Sequence, residues 1–198
     1  MKFVYVLFFS VLVSCGGGSS STTSEASSTT SEASSTSTVT EIEVAYNVGD
    51  TGPGGGIIVY VSTEGFSSAG SVNTDLGAMC NLDICNYIEV APNNLPGSEW
   101  QDAMTAAEGY ETSTANDWIM PTKDALNEFY KYSVNNSISP NDSYWSSSVD
   151  VDWPELAWAQ AFTDPPADGS AGDAPLKGEQ FQASKKGGIN FVRPMRAF

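Results

Sequence analysis

Histidine is absent from this chain, and cations are few: Lys and Arg total 8 against 24 Asp and Glu, a formal net charge of −16. Without histidine the usual pairing of a nucleophile with an imidazole base is unavailable. Two cysteines without any histidine, once Cys15 is set aside as below, also make a zinc site improbable. The shortage of bases excludes nucleic acid as a partner, because binding it requires patches that neutralise phosphates. It disfavours sulfated polysaccharides as well, and it favours solubility and low non-specific adhesion. Long apolar runs are missing too. The run from Phe3 to Val13, which contains one serine, is far shorter than the ~20 residues a spanning helix needs.

That short run has another meaning. Lys2 supplies a positive start, the apolar run follows, and small residues come next, which is the order of a secretory signal. It ends in Leu12-Val13-Ser14-Cys15, which resembles a bacterial lipobox. The resemblance implies a signal peptide at 1–14, cleavage before Cys15 and lipidation of that cysteine. Two or more acyl chains hold a protein stably on a membrane, each buried methylene contributing ~0.8 kcal/mol. The expected location is therefore a bacterial membrane surface, reached through the anchor. Gly16 in place of aspartate favours the outer membrane. Residues 15–40 are rich in Ser and Thr and carry the unit STTSEAS twice in tandem, at 21–27 and 28–34. With almost nothing apolar to bury, such a segment does not offset its ordering entropy and reads as a disordered tether. It would span ~25–30 Å on average.

Residues 41–198 remain for one folded domain, a usual size. Its acids are unevenly placed: from Asp142 to Asp173 there are seven carboxylates and no base, which predicts an acidic face. Cys80 and Cys85 enclose four residues, and an exported compartment permits a disulfide between them. So short a loop would add little stability.

The stretch GDTGPGGGIIVY at 49–60 lacks the lysine and following helix of a phosphate loop. It also lacks the sustained period of collagen. It reads as a tight turn, with Pro53 presetting φ and glycines allowing positive φ or close approach, that launches a buried β-branched strand. Ser98 with Gln101 reads as a capping box for a helix over 99–108, closed by Gly109. Thr122 caps a second helix with a stripe of Leu126, Phe129 and Tyr130. Strands are expected at 144–149, 156–162, 180–184 and 190–198, the last one limited by Pro194 to an edge or bulge. Strands at both ends with two helices between them predict an α+β domain of mostly antiparallel strands, with the first and last strands paired.

VGDTGPGGGIIVYV at 48–61, WIMPTKDALNEFY at 118–130, YWSSS at 144–148 and FVRPMRAF at 191–198 together resemble a family of exported bacterial domains. That family is typified by the C-terminal domain of the Legionella collagen-like adhesin and is frequent among Fibrobacter-type paralogues. The resemblance implies a C-type-lectin-like fold, distantly akin to formylglycine-generating enzymes. The calcium signatures of true C-type lectins are absent, and the acidic surface argues against a sulfated-glycan ligand.

Among candidate residues, Trp118, Tyr144 and Trp145 read as core aromatics. Trp153 lies in Asp150-Val151-Asp152-Trp153-Pro154-Glu155, which reads as an exposed loop whose ring would stack on a sugar or an apolar face. Asp150 and Asp152 flank it as further ligand candidates. Arg193 and Arg196 have the fork to clamp a carboxylate or sulfate, although in so acidic a chain they are expected to pair with its own acids. Asp150, Asp152 and Glu155, or Asp164, Asp168 and Asp173, supply hard oxygens of the kind calcium takes, yet neither set has EF-hand spacing. The domain thus reads as a recognition and adhesion module for a glycan or surface protein rather than an enzyme, with no metal or cofactor required. The alternatives are an exported glycan hydrolase using paired carboxylates and a structural surface protein without a small ligand.

Overall fold

The computed structural model describes residues 45–69, 74–137, 140 and 143–198. The signal, Cys15 and the tether lie outside the described residues. Glu43–Phe198 is one compact unit. Its elements in order are β1 (Ile57–Phe66), α1 (Thr74–Gly77), β2 (Cys85–Val90), β3 (Leu95–Ser98), α2 (Trp100–Glu108) and α3 (Lys123–Asn135). There follow β4 (Ser143–Val149), β5 (Leu156–Ala161), β6 (Gln180–Ser184), β7 (Asn190–Val192) and β8 (Met195–Ala197). The domain is α+β with antiparallel pairing throughout, except for a single parallel register between β4 and β7.

Two sheets form, in the orders β1-β2-β8 and β3-β7-β4-β5-β6. The first and last strands share a sheet, but the direct pairing expected from the sequence is corrected: β2 lies between them, bonded on both edges. The physical reason is burial. Ile88, Glu89 and Val90 of β2 are at most 2% exposed, so this strand takes the centre. The expected strand over 190–198 is divided. Pro194, which has no N–H to give a ladder, ends β7 in one sheet and lets β8 begin in the other. Its carbonyl accepts from Ala91 N.

The glycine cluster is the turn that its composition suggests. Gly52 N donates to Gly56 O, Gly49 N to Ile58 O and Ile58 N to Asp50 O, a short hairpin that feeds β1. Gly55 adopts φ +81°, which a side chain would resist.

The helices differ from their expected caps in one case. Ser98 ends β3, so the N-cap of α2 is Glu99, whose side chain makes no cap bond and instead accepts from Gly187 N. The N-terminus of α3 is fully served. Thr122 Oγ1 accepts from Ala125 N, Ser148 Oγ from Lys123 N and Asp75 Oδ2 from Asp124 N. Placing the Asp75 carboxylate there also suits the helix dipole, and this is the task of the small α1 that the sequence did not disclose.

One core gathers Val59, Ile88, Leu126, Phe129, Tyr144 and Phe162, and a second gathers Ala103, Met120, Trp145 and Val192. Two tryptophans tie the second core together reciprocally: Trp145 Nε1 donates to Ser98 O and Trp100 Nε1 to Ser146 O. Cys80 and Cys85 form a disulfide with Cα atoms 5.8 Å apart.

Candidate functional site

The β4–β5 connection, residues 150–155, carries the sequence candidates Asp150, Asp152 and Trp153. Val151 and Trp153 are 91% and 59% exposed. Asp150 departs from expectation: it is buried and its carboxylate faces inward. Oδ1 accepts from Asp152 N and Trp153 N, both at 2.9 Å, and Oδ2 accepts from Gln182 Nε2 on β6. With both oxygens engaged, Asp150 is corrected from a ligand contact to the residue that fixes the loop. Burial by itself raises the Asp150 carboxyl, but the amides of Trp153 and Asp152 and the Gln182 side chain outweigh it and hold it below the usual carboxylate value. Asp150 N donates to Leu156 O and Leu156 N to Trp153 O, closing the loop at its base. The result is a rigid support with an aromatic and an aliphatic side chain facing water, flanked by exposed Asp152 and Glu155.

Arg196 does what an acidic chain predicts. Nε and Nη2 grip Asp117 Oδ1 and Oδ2 at 2.6 and 2.9 Å, and Nη1 reaches Glu89 Oε2 at 3.1 Å. Burial lowers its affinity for a proton, yet the bonds to Asp117 and Glu89 more than reverse this and raise it above the ordinary value. Arg193 is corrected. Among the described residues it forms no ion pair; Nη1 donates to Asn94 Oδ1, Nη2 to Pro92 O, and the guanidinium lies 5.5 Å over the Phe129 ring. Burial lowers its proton affinity, partly offset by Tyr144 and Tyr110. Neither arginine offers a free fork, so both serve the fold.

One residue escaped sequence reasoning. Glu89 is 0% exposed in the middle of β2. Its Oε1 accepts from Gly56 N at 2.6 Å and its Oε2 from Gly54 N at 3.0 Å, with Arg196 completing the shell. The glycines of the opening turn therefore do cradle an anion, but an internal one. A Cβ on Gly52 would come 2.5 Å from the Glu89 carboxyl carbon, and one on Gly56 would come 2.1 Å from Val90 O. The signal was present in Asn86-Tyr87-Ile88-Glu89-Val90: one charge in an apolar run, with an arginine near the C-terminus to match it.

Of the seven acids expected on one face, Asp142 lies outside the described residues, Asp150 is buried, and the others are divided. Asp152 and Glu155 sit at one end of the β4–β5 hairpin, while Asp164, Asp168 and Asp173 belong to the loop at its other end, before β6. Among the described residues no three of His, Cys, Asp and Glu come together in a way that would hold a metal ion. Asp164 Oδ1 accepts from Lys177 N and Asp168 Oδ1 from Ser170 N. Among the described residues no helix is long and apolar enough to cross a membrane. Trp118, Tyr144 and Trp145 are at most 1% exposed, as core aromatics. No protein-family model and no curated protein matches the chain.

Proposed function

We propose that this chain is a membrane-anchored bacterial surface lipoprotein that presents a C-type-lectin-like recognition and adhesion domain, with Trp153 at its contact surface. The observation that carries this reading is the exposed pair Val151 and Trp153, held on a loop whose backbone is fixed from beneath by Asp150. Fixing a loop before binding reduces the entropy lost on binding, and tryptophan is among the side chains enriched at the energetic centres of binding surfaces. Asp152 and Glu155 would accept hydrogen bonds from sugar hydroxyls beside a ring stacked on Trp153. The lipobox-like Leu12-Val13-Ser14-Cys15 and the Ser/Thr-rich stretch after it support display from a membrane.

The test uses the full chain in detergent on a glycan array and a panel of secreted proteins. A specific, saturable hit that Trp153→Ala abolishes is expected. A blank array, or a hit indifferent to that substitution, refutes the reading of the loop. Mass spectrometry of the N-terminal peptide should find acyl chains on Cys15, and an unmodified cysteine refutes the anchor.

A further inference from the structure

A second feature stands at the opposite end of the β4–β5 hairpin, roughly 20 Å from Trp153 at ~3.4 Å per residue of strand. The chain leaves β5 at Ala161, makes a long loop and returns to β6 with Gly178 N donating to Ala161 O and Ala161 N to Glu179 O. The loop arches over a cavity of about 310 Å³, within the ~300–1,000 Å³ range of small-molecule sites. Three prolines, Pro165, Pro166 and Pro175, form its walls, and Phe181 with Ala161 lines the sheet side. Proline fixes φ, and the loop is further held by bonds from Lys177 N to Asp164 Oδ1 and from Leu176 N to Glu179 Oε2. The cavity is thus built into the loop.

Its polar groups are few and of defined kinds. Asn190, at the start of β7, is 94% buried by its 6% exposure. Its Oδ1 accepts from Ser143 Oγ, and its Nδ2 makes no hydrogen bond among the described residues. This nitrogen is not among the buried side-chain atoms left without a partner, so it is reached from the cavity and is open to an acceptor there. Asp164 lies on the lining as an exposed residue, with Oδ1 used by Lys177 N and Oδ2 making no hydrogen bond among the described residues. No Lys or Arg lines the cavity.

We infer that this cavity binds a small primary ammonium compound that also carries an oxygen acceptor, the chemistry shared by an amino sugar and an amino-acid amide. The ammonium meets the Asp164 carboxylate, the oxygen accepts from Asn190 Nδ2, and the body packs on the proline rings and Phe181. An anion finds no cation on the lining, in a chain whose formal net charge is −16. This inference is independent of the Trp153 surface, since the two lie at opposite ends of one hairpin.

Titration calorimetry on the full chain tests it with glucosamine and leucinamide, each beside its N-acetylated, uncharged form. At least one amine is expected to bind, with affinity falling about tenfold or more on acetylation. Asp164→Asn, an exposed loop change that leaves the core alone, is expected to give the same loss without moving the melting temperature. In ¹⁵N-resolved spectra the Asn190 side-chain amide pair should shift on binding, and this separates the two sources by which body produces saturation. Binding of neither amine, equal binding of the acetylated forms, or full binding by Asp164→Asn overturns the inference.

Discussion

Replacing Glu89 by alanine removes the acceptor that three donors share: Gly54 N–H, Gly56 N–H and Arg196 Nη1. The Glu89 side chain has no solvent exposure and that of Arg196 only 13%, so water screens little of the loss. Arg196 keeps Asp117, whose carboxylate is 37% exposed, but loses its buried partner. Removing one member of a buried pair costs about 3–5 kcal/mol. For a domain of this size each kcal/mol lowers the melting temperature by about 2–4 °C, which gives a fall of about 6–20 °C. The control is Glu128→Ala, which breaks a surface pair with Lys131 and should cost less than ~1 kcal/mol. Much of that cost comes from the stranded Arg196 guanidinium. The double variant Glu89→Ala/Arg196→Met should therefore be less destabilised than the sum of its parts, by about 0.5–3 kcal/mol. Urea unfolding followed by tryptophan fluorescence measures the parent, the single variants Glu89→Ala, Arg196→Met and Glu128→Ala, and the double variant. A Glu89→Ala variant within ~1 kcal/mol of the parent, or a strictly additive double variant, refutes the claim that this carboxylate organises the turn.

Gly56→Ala should destabilise by ~1–3 kcal/mol or more in the same assay, because the new methyl meets the Val90 carbonyl, which is backbone and does not move aside. Asp150 supplies a pH dependence: its folded carboxyl titrates below the unfolded value of ~3.9, so its contribution is complete above that value and is lost as pH falls through the folded one. Asp150→Asn should accordingly flatten the decline of stability as pH falls below about 4, measured by denaturant titration; an unchanged slope there counts against the inward carboxylate. Replacing both Cys80 and Cys85 by serine should lower stability by about 2 kcal/mol, the chain-entropy value for so short a loop. Trp153→Ala should leave stability within ~0.5 kcal/mol of the parent, whereas Trp145→Ala should cost ~3–5 kcal/mol, since one ring is exposed and the other lies in the core.

Where residue type and period act locally, the sequence was readable. Thr122 and the Leu126–Phe129 stripe give α3, and Gln180–Ser184 emerges as a strand with the bounds expected. The run Ile57–Val61 starts β1 after its glycine turn. Long-range competition hid the rest. β2 interrupts its apolar pattern with Glu89, and only the glycine turn 33 residues away shows that this charge is meant to be buried. The consequence was a missing central strand and a mistaken direct pairing of the outer two. Asp150 presents the same ambiguity at the candidate site. Two residues before an amide it bonds, and 32 before Gln182, its side chain is written the same way whether it faces a ligand or the loop beneath it. The exposure of Trp153 was readable because acids and proline surround it.

The last ring of the chain, Phe198, stacks on Tyr87 with centroids 5.2 Å apart, and Tyr46, near the other end of the domain, meets both edge-on at 5.4 and 5.8 Å. The Phe198 carbonyl also accepts from Asn86 N and Tyr87 N. A purification tag fused directly after residue 198 thus loads a seam of the domain. A circular permutant that bridges this seam with a few glycines and opens a surface loop elsewhere would keep every strand in its place.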